Sequence, residues 1–255
     1  MKDQLLKVEH VDMCFSTRKG KITALKDLAF EVKKGEFLAI VGPSGCGKST
    51  LINILAGMLM PTSGEVLLDG QAVKRVNPKM GMVFQKYAAF PWMTVRENIS
   101  YGPRIAKKPK EEIKEITDHY CKMVGLEAYE HLYPKELSGG MSKRVDIARA
   151  YANQPEVLLM DEPFGALDDI TKKQMQLELL NIWDQENKTV VFITHDLEEA
   201  IFLADRILVL RRPVDGQKSL NFIQSVEFSR PRRPELRSSA EFIKLKTYLS
   251  EVMMK

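Results

Sequence analysis

Gly42-Pro-Ser-Gly-Cys-Gly-Lys-Ser-Thr50 is the stretch of this sequence that decides its fold. It follows an apolar run, Phe37–Val41, and leads into a second apolar run that begins at Leu51. A strand, a glycine-rich loop and a helix in this order are typical of a phosphate-binding P-loop. Glycine lets backbone N–H groups face an anion, and the dipole of the following helix favours negative charge at the same point. The stretch therefore predicts a P-loop within an α/β fold.

The residue types in this loop indicate a nucleotide as the ligand. Lys48 has the length and charge to reach the β- and γ-phosphates, and the Ser49 hydroxyl is a ligand for Mg²⁺. Cys46 lies near a helix N-terminus, which lowers the pKa of a thiol, although we favour a small spacer of which only the backbone matters. The expected nucleotide-binding residues of the loop are Gly42, Ser44, Gly45, Cys46, Gly47, Lys48, Ser49 and Thr50.

Length and composition narrow the function classes. The 255 residues suffice for one large α/β domain, or for a core with a smaller subdomain. The net charge of +4 comes without a dense block of lysine and arginine, so nucleic acid is not expected as a partner. Three scattered cysteines form neither a disulfide framework nor a C-x-x-C metal site, which favours the reducing cytoplasm. We expect neither a membrane span nor a signal peptide, because the apolar runs are too short for either.

Apolar segments mark the strands. Residues 5–40 read as antiparallel strands, and Asp69-Gly70 predicts a hairpin turn. Buried strands are expected at 80–84, 157–160 and 189–193, and their alternation with helical sequence indicates a mainly parallel sheet.

The helical parts suggest how the chain is divided. A more polar, helical stretch at about 95–150 interrupts the alternation and is expected to be an inserted subdomain of a domain covering residues 1–215. Residues 216–255 are expected to form a short extension, in which the basic segment 230–237 is a solvated connector. The extension ends in a helix with one apolar stripe, formed by Phe242, Leu245, Leu249 and Val252.

Val157-Leu-Leu-Met-Asp-Glu162 is an apolar strand that ends in two carboxylates. Downstream of a P-loop, Asp161 is expected to hold Mg²⁺ through its water shell and Glu162 to polarise an attacking water. A strand that simply ends in an acidic turn is the minor alternative.

Leu137-Ser-Gly-Gly-Met141 precedes a segment with helical spacing and discriminates between P-loop families. Two glycines before a helix form a second anion site, with bare N–H groups and a helix dipole. One fold does not need two such sites for one γ-phosphate unless two copies face each other. The alternative is a simple helix cap by Ser138, and Ser138 is expected to do that too.

This segment resembles the signature motif of the ABC-type ATPases, usually written LSGGQ. Further positions match the motifs of this family. Gln85 resembles the Q-loop glutamine, which contacts Mg²⁺ and the attacking water. Ala166-Leu-Asp168 resembles the D-loop, which crosses the dimer interface, and His195 resembles the switch histidine, which contacts the γ-phosphate. Phe15 matches the aromatic residue that stacks on adenine, with a core phenylalanine as the open alternative.

The resemblance covers residues 5 to 215 and implies the ABC ATPase fold. That fold is a P-loop NTPase core with a mainly parallel sheet, an antiparallel β subdomain and an inserted α-helical subdomain. It also implies that two copies bind two MgATP head to tail. Ser138, Gly139 and Gly140 of one copy then complete the γ-phosphate site of the other, and Lys48, Gln85, Glu162 and His195 carry the hydrolysis.

Within the family the chain is most similar to the ATP-binding subunits of nitrate, sulfonate and taurine importers. The segments Phe90-Pro-Trp-Met-Thr-Val95 and Thr194-His-Asp-Leu-Glu-Glu-Ala-Ile201, with Met141, carry this finer resemblance. It implies transmembrane permease subunits as partners, a solute-binding protein as an indirect partner, and a place on the inner face of the cell membrane. Exposed Phe90 and Trp92 are expected to anchor the permease, with burial of Trp92 in the helical stretch as an equal alternative.

Two residues after the signature depart from the family pattern. Lys143 stands where glutamine is usual and Asp146 where alanine is usual, and we expect both to alter the dimer surface. Two other functions stay open. One is a soluble ABC ATPase that acts on nucleic acid or the ribosome; the other is an exporter or lipid-trafficking ATPase. The short distance between P-loop and signature, and the single ATPase unit, favour transport over the soluble ATPase. The exporter is disfavoured only by the resemblance to importer subunits.

Overall fold

The computed structural model describes residues 4–18, 20–213 and 218–254. Its strands are β1 (Gln4–Thr17), β2 (Gly20–Lys33), β3 (Phe37–Val41), β4 (Ser63–Leu68), β5 (Gln71–Ala72), β6 (Met80–Val83), β7 (Val157–Asp161), β8 (Thr189–Ile193), β9 (Arg206–Leu210) and β10 (Leu220–Ser225). Its α-helices are α1 (Lys48–Leu55), α2 (Val95–Ile105), α3 (Lys110–Met123), α4 (Gly139–Ala152), α5 (Asp169–Glu186), α6 (Leu197–Leu203) and α7 (Ala240–Met254). These elements confirm the predicted α/β fold and the strands expected at 80–84, 157–160 and 189–193. β7 and β8 are buried as predicted, whereas β6 buries only Gly81 and Val83.

The chain divides into two compact units. Unit 1 comprises the described residues of 1–77 and 189–255, and unit 2 comprises residues 78–188. A separate helical subdomain at about 95–150 and an extension that begins at residue 216 stay predictions.

Unit 1 contains an antiparallel sheet with the strand order β2-β1-β4-β5. The turn between β4 and β5 is Asp69-Gly70, and both residues have positive φ, 49° and 73°. Two successive positive φ values define the primed turn that matches the twist of a hairpin. The antiparallel strands β1 and β2 and the hairpin are therefore as predicted. Lys19, in the turn expected between β1 and β2, lies outside the described residues.

A second set of strands in unit 1 follows the order β10-β9-β3-β8. β3 pairs in parallel with β8 on one side and with β9 on the other, whereas β10 is antiparallel to β9. The expectation that residues 37–40 belong to an antiparallel sheet is therefore wrong. All five residues of β3 are fully buried, and a continuous apolar run is typical of a central parallel strand rather than of an alternating antiparallel one.

Unit 2 pairs β6 with β7 in parallel, and three helices lie between these strands in sequence. α2 begins with a capping box, in which Glu97 N–H donates to Thr94 Oγ1 at 3.2 Å and Thr94 N–H donates to Glu97 Oε2 at 2.8 Å. α2 packs against both α3 and α4. The helical character predicted for this stretch is confirmed.

The C-terminal tail of unit 1 contacts α6 through arginine side chains. Arg230 Nη2 donates to the carbonyl oxygen of Leu203 at 2.8 Å, and the Arg237 guanidinium lies 3.6 Å from the centroid of the Phe202 ring. The interpretation of residues 230–237 as a solvated connector is therefore wrong for these arginines. The last helix, α7, buries Phe242 and Leu249 on its predicted apolar stripe.

Arg232 makes the most buried of these tail contacts, with 6% of its surface exposed. Its Nη1 donates to the carbonyl oxygens of Ile201 at 3.1 Å, Phe202 at 3.0 Å and Ala204 at 2.7 Å. The last carbonyls of a helix have no partner within the helix, and a cation there also complements the helix dipole. Arg232 therefore caps the C-terminal end of α6.

No helix among the described residues is both long enough and apolar enough to cross a membrane.

Replacing Arg232 with methionine should lower the free energy of unfolding by about 2 kcal/mol, because buried carbonyls lose a charged donor. Urea denaturation followed by circular dichroism measures the change. Arg233→Met is the matched control, since Arg233 is exposed in the same segment and its replacement should leave stability nearly unchanged. Equal midpoints for the two variants would show that the cap contributes nothing.

Candidate functional site

The glycine-rich loop lies between β3 and α1 in unit 1, as the sequence predicts. Gly47 immediately precedes α1 and has φ of 100°, in the left-handed region. A Cβ at this position would lie 2.6 Å from the carbonyl oxygen of Ala24, closer than any real contact. Only glycine therefore allows the loop to turn into the helix at this point.

Lys48 is the first residue of α1, and only 8% of its surface is exposed. Its Nζ donates to the carbonyl oxygens of Gly42 at 2.8 Å and Pro43 at 3.2 Å, so the ammonium lies across the loop. A positive charge beside the N-terminus of a helix and a loop in which a Cβ has no room suit the phosphate groups of a nucleotide. Ser44, Gly45 and Ser49 of the same loop are exposed.

Cys46 is fully buried in this loop. Burial raises the pKa of its thiol, although the nearby charge of Lys48 acts in the opposite direction. The expectation of a lowered pKa is therefore wrong, because loss of solvation outweighs the helix terminus and the lysine. The interpretation of Cys46 as an inert spacer agrees with this environment.

Arg212 is a residue of this region that sequence reasoning missed. Its guanidinium donates to the carbonyl oxygen of Ser44 from Nη2 at 2.7 Å and from Nε at 3.2 Å, which brings a second cation to the P-loop. The two residues are 168 positions apart, and no local pattern relates them. The sequence did contain a signal for this contact, because Arg212 comes just after the apolar strand β9. Since β9 is parallel to β3, both strands end at the same edge of the sheet.

His195 follows β8 and reaches this same edge of unit 1. The backbone N–H of Thr194 donates to the carbonyl oxygen of Ile40 at 3.2 Å, which ties the end of β8 to the end of β3. Asp196 then begins α6 by accepting hydrogen bonds from the N–H groups of Glu198 and Glu199 at 2.9 and 3.3 Å. The exposed His195 is thus held between a buried strand end and a capped helix.

Phe15 lies on β1 opposite Ile22 and is 38% exposed. This exposure rules out the alternative of a core phenylalanine. The ring offers an apolar face on the surface of unit 1.

In unit 2, Gln85 and Glu162 follow the parallel strands β6 and β7. Gln85 Nε2 donates to Glu162 Oε2 at 3.2 Å, so the two side chains predicted to act together are in contact. Glu162 has φ of 43°, a left-handed conformation that is uncommon for residues other than glycine and asparagine. Asp161 and Glu162 are both half-buried at the end of β7.

The signature segment forms the N-terminus of α4. Ser138 caps the helix, since the N–H of Met141 donates to its Oγ at 3.3 Å, and this confirms the predicted cap. Ser138 and Gly139 are exposed and Gly140 is half-buried. The helix N-terminus therefore faces solvent and is accessible to an anion.

Asp168 caps α5 in the same way. Its Oδ1 accepts hydrogen bonds from the N–H groups of Thr171 at 3.0 Å and Ile170 at 3.1 Å. The hydrogen bond from Thr171 is the main reason why the pKa of the Asp168 carboxyl lies below its usual value. The carboxylate is therefore charged at neutral pH and exposed on the surface of unit 2.

Lys143 and Asp146 do not lie on a surface. They are 0% and 3% exposed, and Lys143 Nζ lies 3.4 Å from Asp146 Oδ2. The expectation that they alter a dimer surface is therefore wrong, because both side chains are buried in the interior of unit 2.

Trp92 is 69% exposed, which favours the anchor interpretation over burial. It stacks on Phe90 with ring centroids 5.4 Å apart. Phe90 itself is half-buried and packs edge-on against Tyr101 at 4.8 Å, so the expectation of an exposed Phe90 is wrong. The half-buried Phe90 ring therefore supports the exposed Trp92 ring by stacking against it.

Comparison with known proteins places these motifs in one family. Residues 25–165 match the family model described as ABC transporter. The nitrate import ATP-binding protein of Synechococcus elongatus is 44% identical over 227 residues, which cover 88% of this chain and 82% of that protein. The taurine import ATP-binding protein of Roseobacter denitrificans is 45% identical over 206 residues, which cover 80% of this chain and 77% of that protein. The predicted resemblance to importer subunits of this type is confirmed.

The fold is also found among solved structures. A dimeric structure of a bacterial ABC transporter cassette superimposes with a TM-score of 0.75 and 34% sequence identity. The match covers 88% of this chain and all of that one.

The buried thiols of unit 1 and unit 2 should resist alkylation in the folded protein. Iodoacetamide reacts with the thiolate, so the half-buried Cys14 should be modified first, while burial and a raised pKa protect Cys46 and Cys121, whose pKa is about 11. Peptide mass spectrometry at pH 7.5 measures the order. Labelling in urea serves as the control, where all three should react alike. Modification of folded Cys46 at the rate of Cys14 would contradict its burial.

Proposed function

The chain belongs to the ABC transporter family, and we propose that it is the ATP-hydrolysing subunit of an importer for a small solute with an oxyanion group. The observation that carries this proposal is a second helix N-terminus that suits an anion. It is formed by residues 138–140 in a chain that already has a P-loop. The named relatives import nitrate and taurine, and both solutes carry an oxyanion group.

The solute is proposed only as a class. This chain is 44% identical to a relative that is named for nitrate and 45% identical to one named for taurine. Nearly equal identity to relatives named for different solutes does not single out one solute. We assign solute selection to the other subunits of the importer.

Unit 1 is proposed to bind the nucleotide. Lys48 and the backbone N–H groups of the P-loop hold the β- and γ-phosphates, and Ser49 is a ligand of Mg²⁺. The buried ammonium of Lys48 and the glycine-only turn at Gly47 support these roles. Phe15 stacks on adenine, and His195 contacts the γ-phosphate. The remaining loop residues Gly42, Ser44, Gly45, Cys46 and Thr50 complete the phosphate contacts.

Unit 2 is proposed to supply the hydrolytic groups. Asp161 and Gln85 act on Mg²⁺, which supplies charge neutralisation at the phosphates when it is bound. Glu162 polarises the attacking water as general base. The hydrogen bond from Gln85 to Glu162 supports this role, because it fixes the orientation of the carboxylate. Both side chains stand at the carboxyl ends of parallel strands, where ligand-binding residues of α/β proteins gather.

A second copy of the chain is proposed as the first partner. In a head-to-tail dimer, Ser138, Gly139 and Gly140 of one copy would contact the nucleotide held by the other, and Asp168 would lie at the interface. The exposure of residues 138 and 139 and of Asp168 supports this arrangement. The similar solved structure is also a dimer.

Permease subunits are proposed as the second partner, with a solute-binding protein as an indirect one. Their docking surface is the segment around Tyr87 and Trp92, and it would place the chain on the inner face of the membrane. Trp92 and Tyr87 are 69% and 47% exposed, and large exposed aromatic side chains are typical anchors of protein interfaces. The names of the relatives favour import over the alternative of a soluble ATPase that acts on nucleic acid or the ribosome.

Glu162→Gln should abolish ATP hydrolysis and trap an ATP-bound dimer, because an amide cannot accept the proton of the attacking water. Phosphate release measures turnover, and light scattering with and without MgATP measures the dimer. Glu156→Gln is the control, since it removes the same charge from a residue that pairs with Lys79 just before β7. Turnover of Glu162→Gln at the unmodified rate would remove Glu162 from the role of base.

Trp92→Ala should release the chain from its permease, because it removes the exposed aromatic anchor. The test is a pull-down from gently solubilised native membranes with tagged Glu162→Gln, with and without Trp92→Ala. A polytopic membrane protein that is captured only when Trp92 is present supports the importer and the docking surface. Capture of ribosomal or DNA-bound partners alone would refute the importer function. Tyr129→Ala, another exposed aromatic residue of unit 2, is the control.

A further inference from the structure

Three charged residues of α4 lie at intervals of three, Lys143, Asp146 and Arg149, and therefore share one face of the helix. All three contact a single stretch of chain, residues 84–90, which we call the Q-loop segment. It contains Gln85 and leads to the exposed Trp92. The helix that begins with the signature motif is thus joined to this segment at several points.

Lys143 binds the beginning of the Q-loop segment. Its Nζ donates to the carbonyl oxygens of Phe84 at 2.9 Å and Gln85 at 3.3 Å, and it lies 5.2 Å from the centroid of the Tyr87 ring. The backbone of Gln85 is therefore attached directly to α4.

Asp146 and Arg149 bind the two backbone groups of Ala88, in the middle of the Q-loop segment. The N–H of Ala88 donates to Asp146 Oδ1 and Oδ2, each at 3.2 Å, and Arg149 Nη1 donates to the Ala88 carbonyl oxygen at 2.6 Å. The Arg149 guanidinium also lies 5.0 Å from the centroid of the Phe90 ring.

The Lys143–Asp146 ion pair loses solvation free energy on burial, so stability alone does not explain its use between α4 and the Q-loop segment. Burial lowers the pKa of Lys143 and raises the pKa of Asp146, so each charge depends on its partner. Well-packed apolar residues are often as stable as a buried ion pair, or more stable. The better explanation for these charges is that they hold the Q-loop segment in one defined geometry against α4.

The Q-loop segment also contacts functional groups at two other points. The Gln85 side chain donates to Glu162 at 3.2 Å. At the signature motif, a Cβ added to Gly139 would lie 2.7 Å from the Tyr87 hydroxyl oxygen, so Tyr87 packs directly against the backbone of the motif. The segment therefore contacts both the signature motif and the carboxylate proposed as general base.

We propose that Lys143, Asp146 and Arg149 are positioning residues that couple the signature motif to Gln85. Occupation of residues 138–140 by a phosphate group then shifts α4 and the Q-loop segment together, and the shift reaches Glu162 through the Gln85 amide. The same movement reaches the surface at Trp92. This inference rests on the proposed function, because it requires a nucleotide phosphate at the signature motif.

The test compares hydrogen exchange of the Q-loop segment with and without MgATP in the Glu162→Gln protein. Lys143→Gln combined with Asp146→Ala removes both members of the buried ion pair together and introduces the residues usual in the family, so neither of the two charges is left without the other. Arg144→Gln is the matched control, since Arg144 lies on the same helix but pairs with Glu178 of α5.

MgATP should slow exchange of the Ala88 amide about tenfold in the Glu162→Gln protein, which corresponds to about 1.4 kcal/mol of added stability against local opening. The control should keep this response. The double variant should lose it while binding ATP with a Kd within about threefold of the parent. A response that survives in the double variant, or that is missing in the ATP-bound parent, overturns the coupling.

Failure of the proposed function gives a different result, because the parent would then bind no ATP at all. A second variant covers the case in which the double variant does not fold. Arg149→Lys keeps the charge but shortens the reach to the Ala88 carbonyl, so it should weaken the response to MgATP. An unchanged response in this variant would also overturn the coupling.

Discussion

Parallel strand pairing is the constraint on which the candidate site depends. Because β3, β8 and β9 run in the same direction, the loops that follow them begin at one edge of unit 1. The P-loop, His195 and Arg212 reach that edge although they are far apart in sequence. In unit 2 the parallel pair β6 and β7 does the same for Gln85 and Glu162. Burial of these strands fixes their direction and register, so the core determines where the polar residues lie.

Burial divides the residues with proposed roles into two kinds. Ser138, His195 and Asp168 are exposed at or beside helix N-termini, so a ligand can reach them. Lys143 and Asp146 are buried and bind backbone groups. The first kind supplies contacts, and the second decides where neighbouring backbone lies. A protein that changes conformation with its ligand needs both.

Local chemistry explains what the sequence could predict. The P-loop, the turn at Asp69-Gly70 and the cap at Ser138 each depend on a few consecutive residues, so pattern was sufficient. The failures involve long-range contacts. Arg212 approaches Ser44 across 168 positions, Arg232 caps a helix about thirty residues earlier, and the pKa of Cys46 depends on burial by the surrounding core. For Lys143 the residue type suggested a surface, whereas α4 carries it into the interior.

With Glu162 as the proposed general base, its left-handed backbone sets stability against activity at one position. An ordinary side chain in this conformation costs of order 1 kcal/mol or more, and glycine adopts it freely. Selection for thermal stability alone would therefore drift toward glycine at residue 162, while selection for growth on the imported solute would restore glutamate. The conformation also orients the side chain toward Gln85, so its cost is part of how the carboxylate is presented. Laboratory evolution under each of these two selections would therefore show the two effects separately at residue 162.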